Sequence, residues 1–133
     1  MERVNERLAI AEQALSTSQD LCRLSSPSAV ERDAAIARFV YTFEAVWRAA
    51  RRFLMVREGV DVGSPKACIR ASRDAGLLSD TQTETGLVMA DDRNLTVHTY
   101  NEALAAAIFS RLPGHAEVLA AWLADMRDRL DKA

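Results

Sequence analysis

Residues 28–59 read SAVERDAAIARFVYTFEAVWRAARRFLMVREG, and the fold class follows from them. Ile36, Val40, Phe43, Trp47, Ala50 and Leu54 recur at alternating steps of four and three, which is one apolar stripe of an α-helix. Phe39, Val46 and Phe53 widen that stripe, so the helix meets two or more neighbours, as in a bundle. Ser28 is placed to cap its start, with Glu31 three residues on completing a capping box. Gly59 and Asp61-Val62-Gly63 end it. The outward face carries Glu44, Arg48, Arg51, Arg52 and Arg57. Glu44 and Arg48 stand at i, i+4 in the favourable order, worth about 0.3 kcal/mol.

The flanking segments repeat the pattern. Upstream, Val4, Leu8, Ala11, Leu15 and Cys22 form one stripe of a helix over residues 2–24, broken at Ser25-Ser26-Pro27-Ser28. Downstream, Ser64-Pro65 supplies a cap and a first-turn proline for a short third helix that Gly76 closes. Ile69, with Ala67 or Ala71, faces inward there, and Arg70 and Arg73 face out. Asp80 is read as the cap of a fourth helix running through Leu87, Val88 and Leu95 toward His98. Thr99, with Glu102 as reciprocal partner, is read as the next cap. The last helix carries Leu104, Ile108 and Leu112, is interrupted at Pro113-Gly114, and resumes with Leu119, Trp122, Leu123, Met126 and Leu130. His115, beside that turn, is read as a surface residue. No alternating β pattern or repeat occurs. The expectation is a single all-α domain over residues 1–133, an up-and-down bundle of four to five helices with the last one kinked near Pro113.

A net charge of −2 does not mark a nucleic-acid binder, although 15 of the 17 cations are Arg, with Lys66 and Lys132 the exceptions. Cys22 and Cys68 lack metal-type spacing and are read as free thiols of a reducing compartment. The polar N-terminus leads into no signal-like run, and no apolar stretch approaches the ~20 residues of a membrane span. A cytoplasmic location is expected.

Chemistry concentrates in Asp91-Asp92-Arg93-Asn94-Leu95-Thr96-Val97-His98-Thr99-Tyr100-Asn101-Glu102. Arg93 offers a forked phosphate contact, His98 a group that moves protons near neutral pH, and Tyr100 a modifiable hydroxyl. On a continuous helix Asp91, Asn94 and His98 share a face, while Arg93 and His98 diverge by ~140°. They then meet only at a helix edge, across a helix end or with a symmetry mate. The plainer reading stands beside this one: a His at a helix C-terminus is favoured by the macrodipole, and Arg93 can simply pair with its acidic neighbours. Glycines are scattered rather than gathered in a phosphate loop. No zinc-type spacing occurs, and Asp91 and Asp92 are adjacent and so point apart. No metal or cofactor is therefore expected. Tyr41 is read as packing, and Phe39, Phe43, Trp47 and Phe53 as core rather than a base-stacking platform.

Arg93-Asn94-Leu95-Thr96-Val97-His98-Thr99-Tyr100 matches the R-x4-H-x-Y signature of HEPN-domain proteins, of the HepT-like group that includes the nucleotidyltransferase substrate-binding proteins. Arg38 to Trp47 resembles that family's aromatic second helix, and Ser64 to Arg70 with Ala75-Gly76-Leu77 resembles its third. Val40 departs from the acidic residue expected between the flanking aromatics. The resemblance implies a homodimeric four-helix-type bundle whose two R-x4-H segments face a shared cleft. It implies a metal-independent ribonuclease acting as a toxin, with a minimal nucleotidyltransferase as antitoxin partner. Arg93 and His98 would then be catalytic on an RNA substrate, Asn94 and Asp92 supporting, and Tyr100 the acceptor of AMP from the partner. The face of Arg48, Arg51 and Arg52 would track RNA or simply be solvated. The same resemblance carries an alternative: a non-catalytic substrate-binding subunit of a two-component nucleotidyltransferase.

Overall fold

The computed structural model describes residues 2–132, with no account of the Glu2 side chain. Among them are five α-helices and no strand: α1 (Glu2–Cys22), α2 (Ala29–Glu58), α3 (Pro65–Asp74), α4 (Asp80–Leu95) and α5 (Glu102–Asp131), with a 3-10 turn at Thr96–His98 between the last two. The expected all-α bundle is what forms.

Three long helices make the body. The Thr42 hydroxyl donates to the Ala14 carbonyl, and Arg7 shares a recess with Arg51, so α1 and α2 run antiparallel. Arg127 forks onto Glu12, at 2.8 Å for its shorter contact, fixing α5 on α1. Phe39 stacks on His115 and the Arg57 guanidinium reaches the Arg129 carbonyl, so α2 and α5 run parallel. The short pair α3 and α4 packs on itself and on α2 and α5. Trp122 of α5 donates its indole N–H to Ser72 of α3 at 3.1 Å, which lets a large aromatic be buried without stranding its polar edge.

The stripes predicted for α1 and α2 are buried, except that Val40 is only partly covered. Tyr41 is a correction: it is 54% exposed, one residue off the buried stripe. In α4 the inward residues are Thr83, Gly86, Met89, Ala90 and Asp92, while Val88 and Leu95 face out. Gly86 is where α4 approaches α3, since an added Cβ would meet the Ile69 side chain at 3.1 Å.

Local chemistry explains the ends. The Ser28–Glu31 capping box forms in full, and Gly59 closes α2 in the left-handed region that a side chain disfavours. Ser64 and Pro65 start α3 as expected. The cap of α4 is Ser79 rather than Asp80, because Gln82 reaches back to complete a second capping box. The cap of α5 is Asn101 rather than Thr99, because Glu102 is drawn away to Arg32. The last helix is one element, as expected, with Pro113 inside it: α5 runs on through it, short of one amide donor.

Candidate functional site

The segment that bears the chemistry lies where α4 stops. Thr96 turns its hydroxyl back onto the Arg93 carbonyl at 2.6 Å and its amide onto the same oxygen, converting the last α turn to 3-10 geometry. The Asn101 amide then bonds the His98 carbonyl at 3.0 Å, and the Asn101 side chain caps α5. His98 is therefore not on the helical wheel of α4, and the ~140° divergence of an ideal helix does not apply to it. Asp91 and Asn94 remain on α4; His98 sits on the turn beyond.

The four adjacent polar residues of α4 go to different places. Asp91 faces solvent and pairs with Lys66 of α3 at 2.6 Å. Asp92 points inward and is 2% exposed. Arg111 grips it with both arms at 2.8 Å, and His115 donates from Nε2 at 2.7 Å. Arg93 turns toward α2, where its Nε and Nη2 both reach one oxygen of Glu44 at 2.7 Å. Its remaining arm touches Asn94 at 3.3 Å. Arg93 is thus ion-paired, but with Glu44 of another helix and not with its acidic neighbours. Glu44 also accepts from the Trp47 indole at 3.1 Å, so the carboxylate that orients Arg93 is itself held. Arg93 keeps 40% of its side chain exposed and is available to an anion from solvent.

His98 and Tyr100 form the open end. The Tyr100 hydroxyl lies 3.2 Å from His98 Nδ1, with the rings edge to face. Both are exposed, Tyr100 at 82%, and Val88, Leu95 and Val97 of the same stretch of chain are exposed as well. No hydrogen bond joins Arg93 to His98 among the described residues. The geometry brings together His98 with Tyr100 and Arg93 with Asn94, and it takes Asp92 into the interior.

His115 is the residue that sequence reasoning misplaced. It is buried, not at the surface, because α5 continues through Pro113-Gly114 and puts His115 on the stripe of Ile108, Leu112, Leu119 and Trp122. That spacing was the available signal. Burial pushes the Asp92 carboxyl up, but the hydrogen bonds and charges of Arg111 and His115 outweigh it and hold Asp92 below its ordinary 3.8. Burial pushes His115 down from its ordinary 6.5, the Asp92 carboxylate offsets only part of this, and the nearby Arg111 charge lowers it further. An ionised Asp92 accepting from a neutral His115 places the imidazole proton on Nε2 and leaves the buried Nδ1 without a partner. This cluster anchors α4 to α5 directly behind Arg93.

Cys22 and Cys68 are free and buried, and burial pushes the Cys68 thiol up to about 12, which removes it as a nucleophile. No group of three His, Cys, Asp or Glu side chains among the described residues is placed to hold a metal ion. Among the described residues no helix is long and apolar enough to cross a membrane.

Comparison with known proteins gives three findings. The sequence pattern of the proteins described as nucleotidyltransferase substrate binding protein like matches residues 3–128. A crystal structure of a Thermus thermophilus protein is similar at 53% identity and a TM-score of 0.87, covering 88% of this chain and 98% of that one. A Haemophilus influenzae protein, presented as having the fold of a substrate binding domain of a nucleotidyltransferase, shares the fold at 20% identity and a TM-score of 0.65, covering 95% of this chain and 98% of that one. No curated protein sequence matches.

Proposed function

The chain belongs to the nucleotidyltransferase substrate binding protein-like family, and from that we propose that it is the helical partner subunit of a nucleotidyltransferase, offering the Arg93–Tyr100 segment to it. The observation that carries this reading is the family match over nearly the whole chain. The geometry adds a reason for the segment: a phenol 82% exposed, with an imidazole nitrogen 3.2 Å from its oxygen. That pair is an acceptor with its base. In the transfer, the Tyr100 oxygen attacks the α-phosphorus of ATP, the new O–P bond forms, pyrophosphate leaves, and His98 Nδ1 takes the phenolic proton. Arg93, held by Glu44 and 40% exposed, is the cation of the same segment that would pair with the phosphoryl group that results.

Co-expression with a minimal nucleotidyltransferase from the same genome tests the reading. The two are expected to co-purify, and ATP is expected to add one AMP to Tyr100, seen by mass spectrometry and lost in Tyr100→Phe. His98→Gln is expected to slow the modification without breaking the complex. Failure of the two proteins to associate would remove the reading.

A second reading is favoured by His98 itself, which is exposed on the same segment as an arginine that keeps 40% of its side chain open to solvent. In this reading the chain is a HEPN ribonuclease toxin and the nucleotidyltransferase its antitoxin. RNA brings its own nucleophile, the 2′-hydroxyl; His98 moves the proton and Arg93 stabilises the crowded phosphate. Cleavage is then expected in EDTA, with cyclic or 3′-phosphate ends, and is lost in His98→Ala and Arg93→Ala. Cleavage that persists in His98→Ala would reject it.

A further inference from the structure

On their outer side, α1 and α2 leave an open groove of about 400 Å³ between them, lined chiefly by Ile10, Gln13, Ala14, Thr17, Arg38 and Tyr41. Ala14 is buried and forms the floor, where a small side chain leaves the space open. Ile10 of α1 and Tyr41 of α2 stand on opposite walls, 55% and 54% exposed. Apolar groups on both walls of one groove differ from the single scattered exposures of an ordinary surface. Arg38 stands on the α2 wall. Other arginines of α2 have carboxylates: Arg32 holds Asp33 and Glu102, Arg48 lies 3.6 Å from Glu44, and Arg51 lies 3.8 Å from Asp61. Arg38 makes no ion pair among the described residues, and no carboxylate lines the groove. The groove is thus apolar on both walls, with one cation left unmatched.

We infer that this groove docks an amphipathic helix of the nucleotidyltransferase partner, one that carries a carboxylate beside its apolar stripe. A helix is the element that fits. The walls have their backbone groups bonded within α1 and α2 and offer no strand edge, and the channel between two helices accepts the side-chain ridge of a third. The carboxylate answers Arg38. A second copy of this chain is a poor match: a two-fold contact centred on the groove sets the same patch against itself, and this patch holds a cation with no acid to meet it. The position suits the partner. Tyr41 lies three residues before Glu44, so both stand on one face of α2 about a turn apart, and Glu44 is the group that grips Arg93 at 2.7 Å. A helix seated here holds the partner on the side of the molecule that bears Arg93, and the anchoring contact stays apart from the Arg93–Tyr100 segment, which the transfer needs free. That the occupant belongs to a nucleotidyltransferase rests on the function proposed above; the groove and its unmatched arginine do not.

Calorimetric binding of the purified chain and its variants to a minimal nucleotidyltransferase from the same genome tests the docking. Tyr41→Asp and Arg38→Glu are each expected to weaken association on the order of tenfold or more. Both residues are exposed, so the fold is retained, as circular dichroism would verify. Arg70→Glu, at an exposed arginine of α3, is expected to leave the affinity unchanged. A p-benzoylphenylalanine in place of Tyr41 is expected to crosslink, on irradiation, to a helix of the nucleotidyltransferase that carries an Asp or Glu. Full affinity in both groove variants, an equal loss in Arg70→Glu, or a crosslink to anything other than such a helix, a second copy of this chain included, would overturn the docking and leave the proposed function standing. No association of the wild-type chain would overturn both.

Discussion

Removing the Asp92 carboxylate strands two donors at once, the Arg111 fork and His115 Nε2. Breaking a buried pair from one side costs about 3–5 kcal/mol. Arg111 is 39% exposed and recovers some hydration, so Asp92→Ala is expected near the lower end, about 3 kcal/mol, by urea unfolding. A loss under about 1 kcal/mol would mean the cluster is only a surface pair. The pH dependence has a definite sign. The folded value of His115 lies below 6.5, so under that pH the unfolded chain takes up a proton that the folded chain refuses, and stability falls. Above 6.5 the imidazole is neutral in both states and contributes nothing. Asp92, held below 3.8, adds a second loss under that pH. The urea midpoint is therefore expected to be flat above neutrality, to drop below 6.5 and to drop again in acid. His115→Gln is expected to remove the first drop; its persistence would assign that drop to another group. Very little of this was legible beforehand. Asp92 reads as half of an acidic dipeptide, and its partners lie 19 and 23 residues away on another helix. His115 was recoverable from its stripe, but a Pro-Gly pair looks like a turn when nothing says that both flanks of the helix are anchored.

Elements were legible where one local rule acted alone. Ser28 with Glu31, and Ser64 with Pro65, predicted two helix starts that form as written. Two candidates side by side defeated the same rule. Ser79 outcompetes Asp80 because Gln82 completes the box only with Ser79, a pattern present in the sequence. Asn101 outcompetes Thr99 for a reason the sequence does not display: Glu102, needed for the reciprocal bond, is held by Arg32 70 residues away. The consequence is measurable. Asn101→Ala is expected to cost about 1 kcal/mol in thermal unfolding, whereas Thr99→Ala should stay within about 0.5 kcal/mol. The reverse order would restore Thr99 as the cap. The distinction matters for the site, because the Thr99 position as a cap would keep His98 on α4, while the Asn101 cap frees a 3-10 turn that carries His98 and Tyr100 away from the helix axis.

At the scale of the molecule, periodicity says which face of each helix turns inward but not which helix lies next to it, so the bundle was legible and the company of each site residue was not. Arg93 illustrates the gap: its partner Glu44 was assigned to Arg48 one turn away, a pairing that survives only at 3.6 Å. The exposed surface is informative in the same way. Val88, Leu95, Val97 and Tyr100 all stand exposed within residues 88–100, the part of the chain that also carries Arg93 and His98. Val88 and Leu95 stand two turns apart on one face of α4, and the next turn adds Val97 and Tyr100, an apolar run that can serve as a contact face. A second copy of this chain fits it on symmetry grounds, since a two-fold contact through this segment would set two Arg93–Tyr100 segments opposite each other. A dimer is therefore expected by light scattering at micromolar concentration. Leu95→Asp with Val97→Asp should convert it to a monomer while leaving helical circular dichroism unchanged, because both side chains are already exposed and their loss removes nothing from the core. A monomeric wild type would reject the dimer, and a dimer indifferent to both substitutions would place its interface elsewhere and leave this apolar face to the nucleotidyltransferase.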